Sequence, residues 1–336
     1  MTNNNEVDAV VLWVDGNDPE WQKVYKKHRS GDAETDFQFR YRDWGLFKYW
    51  FRGIDKFAPW IRKIHFVTWG HIPEWLNTSD HKLHVVKHED YIPEEFLPSF
   101  NSTVLEKFFH RIEGLSEQFI YFNDDTFCIN AVKKEDFFKN GKVCDMLSFE
   151  PICAYSYTVW GYEKLNDSTI IARHFDKKEG MKKHPGHYFS FKYPLRYRLY
   201  NLAEFFFPYF TSSLVTHDPS PMLKSTYEEI WNCEKDALEA SAKNKFRGLT
   251  DTTQFLFRTW TMLKGQMIPK NAYKKSHYCS LSGNVPAICK IIRKQKYDLL
   301  CINDGENDDE IDFKNVQSQL IQAFDSILPE KCRFEK

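Results

Sequence analysis

The sequence lacks the features that most readily identify the class of a protein. Its 336 residues contain no apolar run near the ~18 residues of a membrane-spanning helix, and the N-terminus has neither the basic nor the apolar region of a signal peptide. The eight cysteines are scattered without a CxxC pair, which argues against a zinc site or a disulfide framework. We therefore expect a soluble, intracellular protein with reduced thiols.

A strong net charge is missing as well. The formal net charge is −1, so no overall field would attract nucleic acid, and we expect no nucleic-acid partner. Glycine-rich phosphate loops, a GxSxG turn and an HExxH helix are also absent. Aromatic residues are instead abundant, at 17% of the chain, so rings must line surfaces or clefts as well as the core.

Segments with the periodicity of strands and of helices alternate over residues 1–130. Strands are predicted at Val7–Trp13, Ile64–Thr68, Leu83–Val86 and Phe119–Phe122, and helices after Asp18, over Asp43–Phe57 and from Thr103 to Arg111, the last with Thr103 and Glu106 as a capping box. This alternation favours an α/β fold with a mainly parallel sheet flanked by helices. Ligands of such sheets bind at the carboxyl ends of the strands.

The segment Phe119–Phe127 runs from an apolar strand directly into adjacent carboxylates. The strand is followed by Asn123, Asp124 and Asp125, which would hold two negative charges at the rim of the sheet. These charges repel each other and lose hydration unless a cation or hydrogen-bond donors neutralise them. Mg²⁺ and Mn²⁺ prefer such oxygen ligands. The alternative is an ordinary strand that ends in an Asp-rich turn.

Residues 151–215 differ in composition from those before them. Between Lys177 and Arg198, seven lysines and arginines accompany a single acid, Glu179. Two interpretations remain open: a solvated loop whose rings belong to the core, or a flap that meets a substrate or a membrane. The rings are those of Tyr188, Phe189, Phe191, Tyr193 and Tyr197, and the cations include Lys182, Lys183, Arg196 and Arg198.

After residue 216 the pattern becomes helical. Helices are predicted from Ser225 to Lys245, with Ser225 and Glu228 as a capping box, and over Asp251–Leu263 and Asp312–Leu328. The last of these is amphipathic, and we expect it only to pack against the core.

Isolated polar residues in apolar or turn-rich surroundings are further candidates for a site. Asp15 follows the first strand, His217 follows an apolar stretch, Arg247 lies between two helices, and Asp304 follows a strand-like segment. Each of the last three has a plainer alternative. His217 would be an ordinary core or surface histidine, and Arg247 a helix-end cation. Asp304 would belong to a solvated acidic face.

Several segments, taken in order, resemble the conserved regions of the Stealth family. The first region is matched by VVLWVDGNDPEW, the second by FRYRDWGLFKYWFRGIDKFAPWIRKIHFVTWGHIPEWLN and LPSFNSTVLEKFFHRIEGLSEQFIYFNDDTF, the third by HDPSPMLKSTYEEIW with KFRGLTD, and the fourth by LLCINDG. The family includes bacterial capsular and exopolysaccharide sugar-1-phosphate transferases. It also includes the catalytic subunit of N-acetylglucosamine-1-phosphotransferase.

The resemblance implies a GT-A-like α/β fold in which residues 1–336 form one catalytic domain. Residues 1–150 would form the nucleotide-sugar core, residues 151–215 a basic aromatic insertion, and residues 216–336 a helical part that completes the active site. The implied reaction moves sugar 1-phosphate from a nucleotide sugar to a glycan hydroxyl in capsule or exopolysaccharide synthesis, and a nucleoside monophosphate leaves. The alternatives are a conventional metal-dependent glycosyltransferase that releases UDP and a non-catalytic carbohydrate-binding protein.

The resemblance also implies a cofactor, partners and a location. The donor would be UDP-linked, such as a UDP-N-acetylhexosamine or UDP-hexose, and the acceptor a glycan or lipid-linked glycan. Mg²⁺ or Mn²⁺ would be the cofactor. The enzyme would be cytoplasmic, with peripheral contact at the inner membrane face.

Motif by motif, the resemblance assigns roles to residues of this chain. The nucleotide-sugar pocket would involve Asp15, Gly16, Arg42, Asp43, Asn101, Ser102 and Asn123, and the metal would be held by Asp124 and Asp125 with Asp304 as a further ligand. His217 would be the general base, with Asp15 and Asp304 as alternatives. Arg247 would clamp phosphate oxygens. One departure from the family pattern is Trp69, where a small polar residue is expected, and it leaves the identity of the sugar open.

Overall fold

The computed structural model describes residues 6–29, 41–153, 159–281, 283–304 and 312–336. The strands in these ranges are β1 (Val7–Leu12), β2 (Ile64–Thr68), β3 (Leu83–Lys87), β4 (Gln118–Phe122), β5 (Thr126–Cys128), β6 (Phe138–Lys139), β7 (Lys142–Asp145), β8 (Phe149–Glu150), β9 (Ser212–Ser213), β10 (Ser220–Leu223), β11 (Met267–Pro269), β12 (Ser276–Ser280) and β13 (Leu299–Asn303). The α-helices are α1 (Pro19–His28), α2 (Phe47–Phe57), α3 (His88–Tyr91), α4 (Ser102–Lys107), α5 (Trp160–His174), α6 (Lys177–Lys183), α7 (Pro185–Tyr188), α8 (Leu195–Phe206), α9 (Lys224–Cys233), α10 (Lys235–Ala242), α11 (Gln254–Leu263), α12 (Val285–Arg293) and α13 (Phe313–Asp325).

A five-stranded sheet in the order β10-β4-β1-β2-β3 forms the centre of the fold. Its strands from β4 to β3 are parallel, with Val7 of β1 opposite Gln118 of β4 and Ala9 of β1 opposite Ile64 of β2. β10 adds an antiparallel edge. Every residue of β2 and β4 is buried, as is typical of strands in a parallel sheet. Smaller sheets join β12-β13-β5, β11-β7-β6 and β8-β9.

This architecture confirms the predicted α/β fold with a mainly parallel central sheet flanked by helices, as in a GT-A-like protein. Strand β2 has the predicted limits, and the ends of β1, β3 and β4 differ from prediction by one residue. The strands were predictable because their apolar runs are bounded by turn residues. Of the helices in the described ranges, none is both long and apolar enough to cross a membrane.

Both predicted capping boxes were wrong. Asn101, not Thr103, caps α4: its Oδ1 accepts hydrogen bonds from the backbone N–H and the hydroxyl of Thr103, at 3.1 and 2.9 Å. Glu106 instead accepts a hydrogen bond from the Tyr121 hydroxyl at 3.1 Å. Asparagine caps helices at least as well as threonine, so the prediction placed the cap two residues late. Ser225 lies inside α9 and donates to the Glu117 carboxylate at 2.5 Å.

The predicted helix limits were otherwise approximate. The helix predicted from Ser225 to Lys245 is two helices, α9 and α10, that meet at Glu234. Helix α2 begins at Phe47, four residues after the predicted start, and α11 begins at Gln254, where Thr253 is the cap. Helix α13 begins one residue after the predicted Asp312, which caps it, and ends three residues before the predicted Leu328.

The basic aromatic segment folds into helices α5–α8 rather than a loop. Three of its rings, those of Tyr188, Tyr193 and Tyr197, are only 2–4% exposed and belong to the core, whereas Phe191 is 93% exposed. The interpretation that assigns the rings to the core therefore holds for the tyrosines and fails for Phe191.

Residues after 312 fold back against the first α/β units. Tyr49 of α2 stacks on Phe324 of α13, with 5.1 Å between ring centroids. Arg52 of α2 donates two hydrogen bonds, at 2.7 and 2.8 Å, to the Glu335 carboxylate. Both side chains of this ion pair are more than 90% buried. Planar bidentate pairs of this kind are among the strongest polar contacts in proteins.

Candidate active site

A cavity of about 1460 Å³ opens at the carboxyl ends of β1, β4 and β13. Its walls come from segments spread between Leu12 and Asp304. They include Trp13, Trp21, Arg42, Asp43, Ser102, Glu106, Asn123, Asp124, Asp125, Glu163, Asp167, His217, Asp218, Arg247, Tyr278 and Asp304. Small-molecule sites commonly measure roughly 300–1,000 Å³, so this cavity has space for a ligand larger than a single metabolite.

The paired carboxylates lie where β4 ends. The N–H of Thr126 donates to the Asn123 carbonyl at 3.1 Å, and this tight turn projects Asp124 into the cavity. Asp125 is held from behind, because its oxygens accept hydrogen bonds from Thr126 (3.1 Å), Cys301 (3.5 Å) and the Asn303 amide (3.5 Å). Three donors from two adjacent strands therefore fix one carboxylate, and the other faces the cavity.

The electrostatics of this pair favour a bound cation. The cavity walls exclude much of the water that would hydrate Asp124, and Asp125 repels it, so its pKa is raised to about 7 even though part of the side chain is exposed. Burial also raises the pKa of Asp125, although its three hydrogen bonds favour the charged form and act to lower that pKa. A divalent cation would relieve both effects, and Mg²⁺ is commonly held by one or two carboxylates together with substrate phosphates. The carboxylate pair fits that requirement.

Asp304 lines the same cavity but is engaged elsewhere. Its Oδ2 accepts a hydrogen bond from the Trp44 indole at 2.9 Å and lies 3.6 Å from the Arg42 guanidinium. Within the described ranges, no group of three or more His, Cys, Asp and Glu side chains could hold a metal ion. The role of Asp304 as a third ligand stays a prediction.

His217 stands at the cavity wall close to the carboxylate pair. Its ring lies against that of Tyr278, with 4.4 Å between centroids. The surrounding walls lower the pKa of His217 below its ordinary value, against smaller opposing influences from Asp125 and Asp218, although part of the ring is open to the cavity. At neutral pH the imidazole is therefore uncharged and able to accept a proton.

A buried ion-pair network supports the backbone beside His217. Arg258 of α11 donates to both oxygens of Asp145, at 2.5 and 2.7 Å, and to Asp218 at 3.2 Å. The Thr216 hydroxyl donates to the same Asp218 carboxylate. Burial disfavours a charged Asp218, but Arg258 and Lys270 outweigh burial and hold its pKa below the usual range. The residues on both sides of His217 are thus anchored.

Arg247 presents its guanidinium to the opposite side of the cavity. It donates to the Ser102 hydroxyl at 3.1 Å and lies 3.7 Å from a carboxylate oxygen of Glu163. Its side chain is 38% exposed, so N–H groups remain accessible to an anion. Ser102 and Arg247, predicted from separate motifs, therefore meet in one place.

Other predicted pocket residues lie outside the cavity lining. The Asp15 carboxylate accepts a hydrogen bond from the Asn17 N–H at 2.9 Å, and Gly16 packs so closely on Tyr41 that a Cβ would lie 2.5 Å from the tyrosine Cβ. Asn101 caps α4 and donates to Asp251 at 2.8 Å. These residues shape the backbone around the cavity rather than its surface. Trp69 packs on the aromatic cluster at one end of the cavity.

The sequence analysis missed several acidic residues that line the cavity. Glu106 accepts hydrogen bonds from the Tyr121 hydroxyl (3.1 Å) and the Gln254 N–H (3.3 Å), and burial raises its pKa to about 7, against the nearby Arg247. Glu163 and Asp167 are also in the walls. Their spacing of four residues places them on one face of α5, and this is the signal that could have identified them.

Two models of conserved regions match the sequence. "Stealth protein CR1, conserved region 1" matches residues 5–32 and "Stealth protein CR2, conserved region 2" matches residues 40–145. The second match contains Asp124 and Asp125, and it ends at Asp145, which binds Arg258.

Curated proteins are similar over their whole length. The chain is 39% identical to a Streptococcus pneumoniae protein named capsular polysaccharide phosphotransferase WcwK, over 99% of each chain. It is 38% identical to the receptor polysaccharide phosphotransferase WefC of Streptococcus gordonii, over 98% of this chain and 99% of that one. It is 34% identical to the exopolysaccharide phosphotransferase cps2G of Lactiplantibacillus plantarum, over 98% and 96%.

The fold and the cavity define a GT-A-like α/β protein whose large cleft combines carboxylates, a neutral histidine and an arginine. The full-length similarity makes the assignment specific: the chain belongs to the Stealth family.

Proposed function

We propose that the protein transfers sugar 1-phosphate from a UDP-linked sugar to a hydroxyl of a glycan and releases UMP, in the synthesis of a capsule or exopolysaccharide. The observation that carries this proposal is the common cavity of Asp124, Asp125, His217 and Arg247. Relatives of full length that are named polysaccharide phosphotransferases support it.

The reaction needs attack at phosphorus rather than at the anomeric carbon. The acceptor oxygen would form a bond to the phosphorus that bears the sugar, and the bond from that phosphorus to the bridging oxygen of the diphosphate would break. UMP leaves with the electron pair of that bond, and His217 takes the proton of the acceptor hydroxyl. The product is a phosphodiester between sugar and glycan.

The remaining residues would bind the donor. Arg247 is placed to hold phosphate oxygens with its planar fork. A divalent cation, Mg²⁺ or Mn²⁺, on Asp124 and Asp125 would supply positive charge to the diphosphate. The rings of Trp21, Tyr25, Phe100 and Phe246 form one cluster in the cavity wall. The first three are only 2–8% exposed, so the half-buried Phe246 is the ring of this cluster that would stack on a base or a sugar.

The acceptor would be a glycan, free or linked to a lipid, and the enzyme would work in the cytoplasm in peripheral contact with the membrane. The cavity volume supports an acceptor as large as a glycan, since about 1460 Å³ exceeds the space usual for one small ligand.

The test uses a donor labelled at the phosphorus next to the sugar. A panel of UDP-hexoses and UDP-N-acetylhexosamines is incubated with a short glycan and Mg²⁺. Sugar-phosphate transfer places the label in the glycan and yields UMP. A conventional glycosyltransferase would leave the label in UDP, and that outcome overturns the proposal. His217→Ala provides the control for unspecific hydrolysis.

A further inference from the structure

Helix α8 exposes a row of apolar residues, whereas its buried side holds two polar residues beside Tyr197. Asn201 and Glu204 are 0% and 1% exposed, whereas Leu195, Leu199 and Leu202 are 60, 53 and 49% exposed. The leucines are spaced by four and three positions and so lie on one face of the helix. An exposed apolar face of this kind marks a contact site.

The apolar surface continues beyond both ends of the leucine row. Phe191 precedes the helix and is 93% exposed, Phe206 in its last turn is 75% exposed, and Tyr209 after it is 78% exposed. Rings at the ends of an apolar helix face are typical of segments at a membrane surface, where an aromatic ring spans the boundary between headgroups and acyl chains.

The buried polar face fixes the orientation of α8. The Asn201 amide donates to the backbone carbonyl of Leu147 at 2.9 Å and to that of Tyr188 at 2.6 Å. Glu204 pairs with the buried Lys177 at 3.0 Å. A rotation that buried the leucines would break these bonds and leave polar groups unsatisfied. The apolar face is therefore held outward by the fold itself.

The exposed or half-buried charges that α8 and its flanking residues contribute are of one sign. Residues 189–210 are all described, and their exposed or half-buried charges are Lys192, Arg196 and Arg198. The single acid in this range, Glu204, is neutralised by Lys177 inside the protein. A second copy of the same face would place like charges together, and a glycan would gain little from aliphatic leucines. Anionic lipids complement both the cations and the leucines.

We propose that the apolar face of α8, with its basic rim, binds the surface of a bilayer that contains anionic lipids. The helix has twelve residues and would lie in the plane of the interface. Strand β8 packs against α8 and pairs with β9, whose Ser213 lines the cavity. Membrane binding would therefore hold the cavity near the lipid surface. The membrane contact of the proposed function would use this face, and the link to a lipid-linked acceptor rests on that function; the exposed face itself is observed independently of it.

The experiment is flotation of the full chain with phosphatidylcholine vesicles that do or do not contain phosphatidylglycerol. We expect the wild type to float with the anionic vesicles. The variant Leu199→Ser/Leu202→Ser should bind these vesicles at least about tenfold more weakly. Phe191→Ser/Phe206→Ser is the second variant. The matched control is Ile72→Ser/Leu249→Ser, which removes side chains of similar exposure (43 and 49%) elsewhere and should bind as the wild type does. Thermal unfolding of each variant checks that it is folded.

Three results would overturn the proposal. The wild type could fail to float with anionic vesicles, or both α8 variants could float as well as it does. Alternatively, the wild type could form a dimer that the α8 variants abolish, in which case a second copy covers the face. UMP release with a water-soluble acceptor separates this proposal from the previous one. The α8 variants should retain that activity, and its absence from the wild type would contradict the proposed function alone.

Discussion

Arg258 offers a quantitative test of how the backbone around His217 is supported. Its guanidinium makes two short hydrogen bonds to Asp145 and longer ones to Asp218 and Ser220, both at 3.2 Å. Arg258 is 3% exposed and Asp145 is 0% exposed. The substitution Arg258→Met keeps much of the apolar stem and removes the charge, so that two carboxylates lose their main partner in the interior.

The expected loss of stability follows from this burial. Removing one partner of a buried ion pair costs about 3–5 kcal/mol, because the remaining charge is left without compensation. For a large domain each kcal/mol lowers the unfolding midpoint by roughly 2 °C, so Arg258→Met should lower Tm by on the order of 5–10 °C. The difference should shrink as pH falls. The wild type loses the contribution of its low-pKa Asp218 on acidification, while the variant gains from protonation of its unpaired carboxylates.

The matched control is an ion pair at the surface with a similar distance between its nitrogen and oxygen atoms. Lys264 lies 2.6 Å from Glu229, but the two side chains are 36 and 39% exposed. Lys264→Met should cost 0 to about 1 kcal/mol and shift Tm by about 2 °C at most. Both variants are compared with the wild type by thermal unfolding followed by circular dichroism at neutral and acidic pH. Equal losses in the two variants, or no loss in Arg258→Met, would refute the reasoning from burial.

Three further predictions concern the chemistry of the cavity. Asp125→Asn should abolish transfer with the fold intact, and EDTA should do the same to the wild type; full activity of the variant in metal-free buffer would contradict a metal site. His217→Ala should lower kcat by roughly 10²-fold or more with donor binding unchanged. Because the pKa of His217 is lowered, wild-type transfer should persist as pH falls through ~6.5, provided that saturating Mg²⁺ keeps Asp124 ionised. Loss of donor binding with unchanged kcat would make His217 a binding residue. Arg247→Lys keeps the charge but not the bidentate geometry and should be badly impaired; kinetics equal to the wild type would reduce Arg247 to a helix-end cation.

The sequence was sufficient for the four parallel strands of the central sheet because their signals are local. Apolar runs bounded by turn residues located β1 to β4, and the parallel arrangement placed Asp124 and Asp125 at the carboxyl edge. The same reasoning failed for Asp15, which is at that edge but turns its carboxylate to a neighbouring backbone N–H. An edge position is set by topology, whereas the direction of one side chain is set by a turn of a few residues.

The parts that escaped prediction depend on contacts between distant residues. Strand β10 is four residues long and contains Pro221, so nothing local marks it as a strand. Its antiparallel pairing with β4, with Met222 opposite Phe119, places His217 near the carboxylate pair. Glu106 resembled a helix cap, and only the approach of Tyr121 and α11 shows that it faces the cavity.

The ion pair between Arg52 and Glu335 has a consequence for how the chain is made. The two residues are 283 positions apart, and a ribosome that adds roughly 5–20 residues per second completes Glu335 on the order of 15–60 seconds after Arg52. During that interval Glu335 has not been made, so Arg52 lacks this carboxylate partner. The face of α2 that packs on Phe324 is uncovered for the same reason. The first α/β units therefore remain partly uncovered until residues 313–335 have been made. The cavity, whose lining includes Asp304, is likewise complete only after that residue has been made.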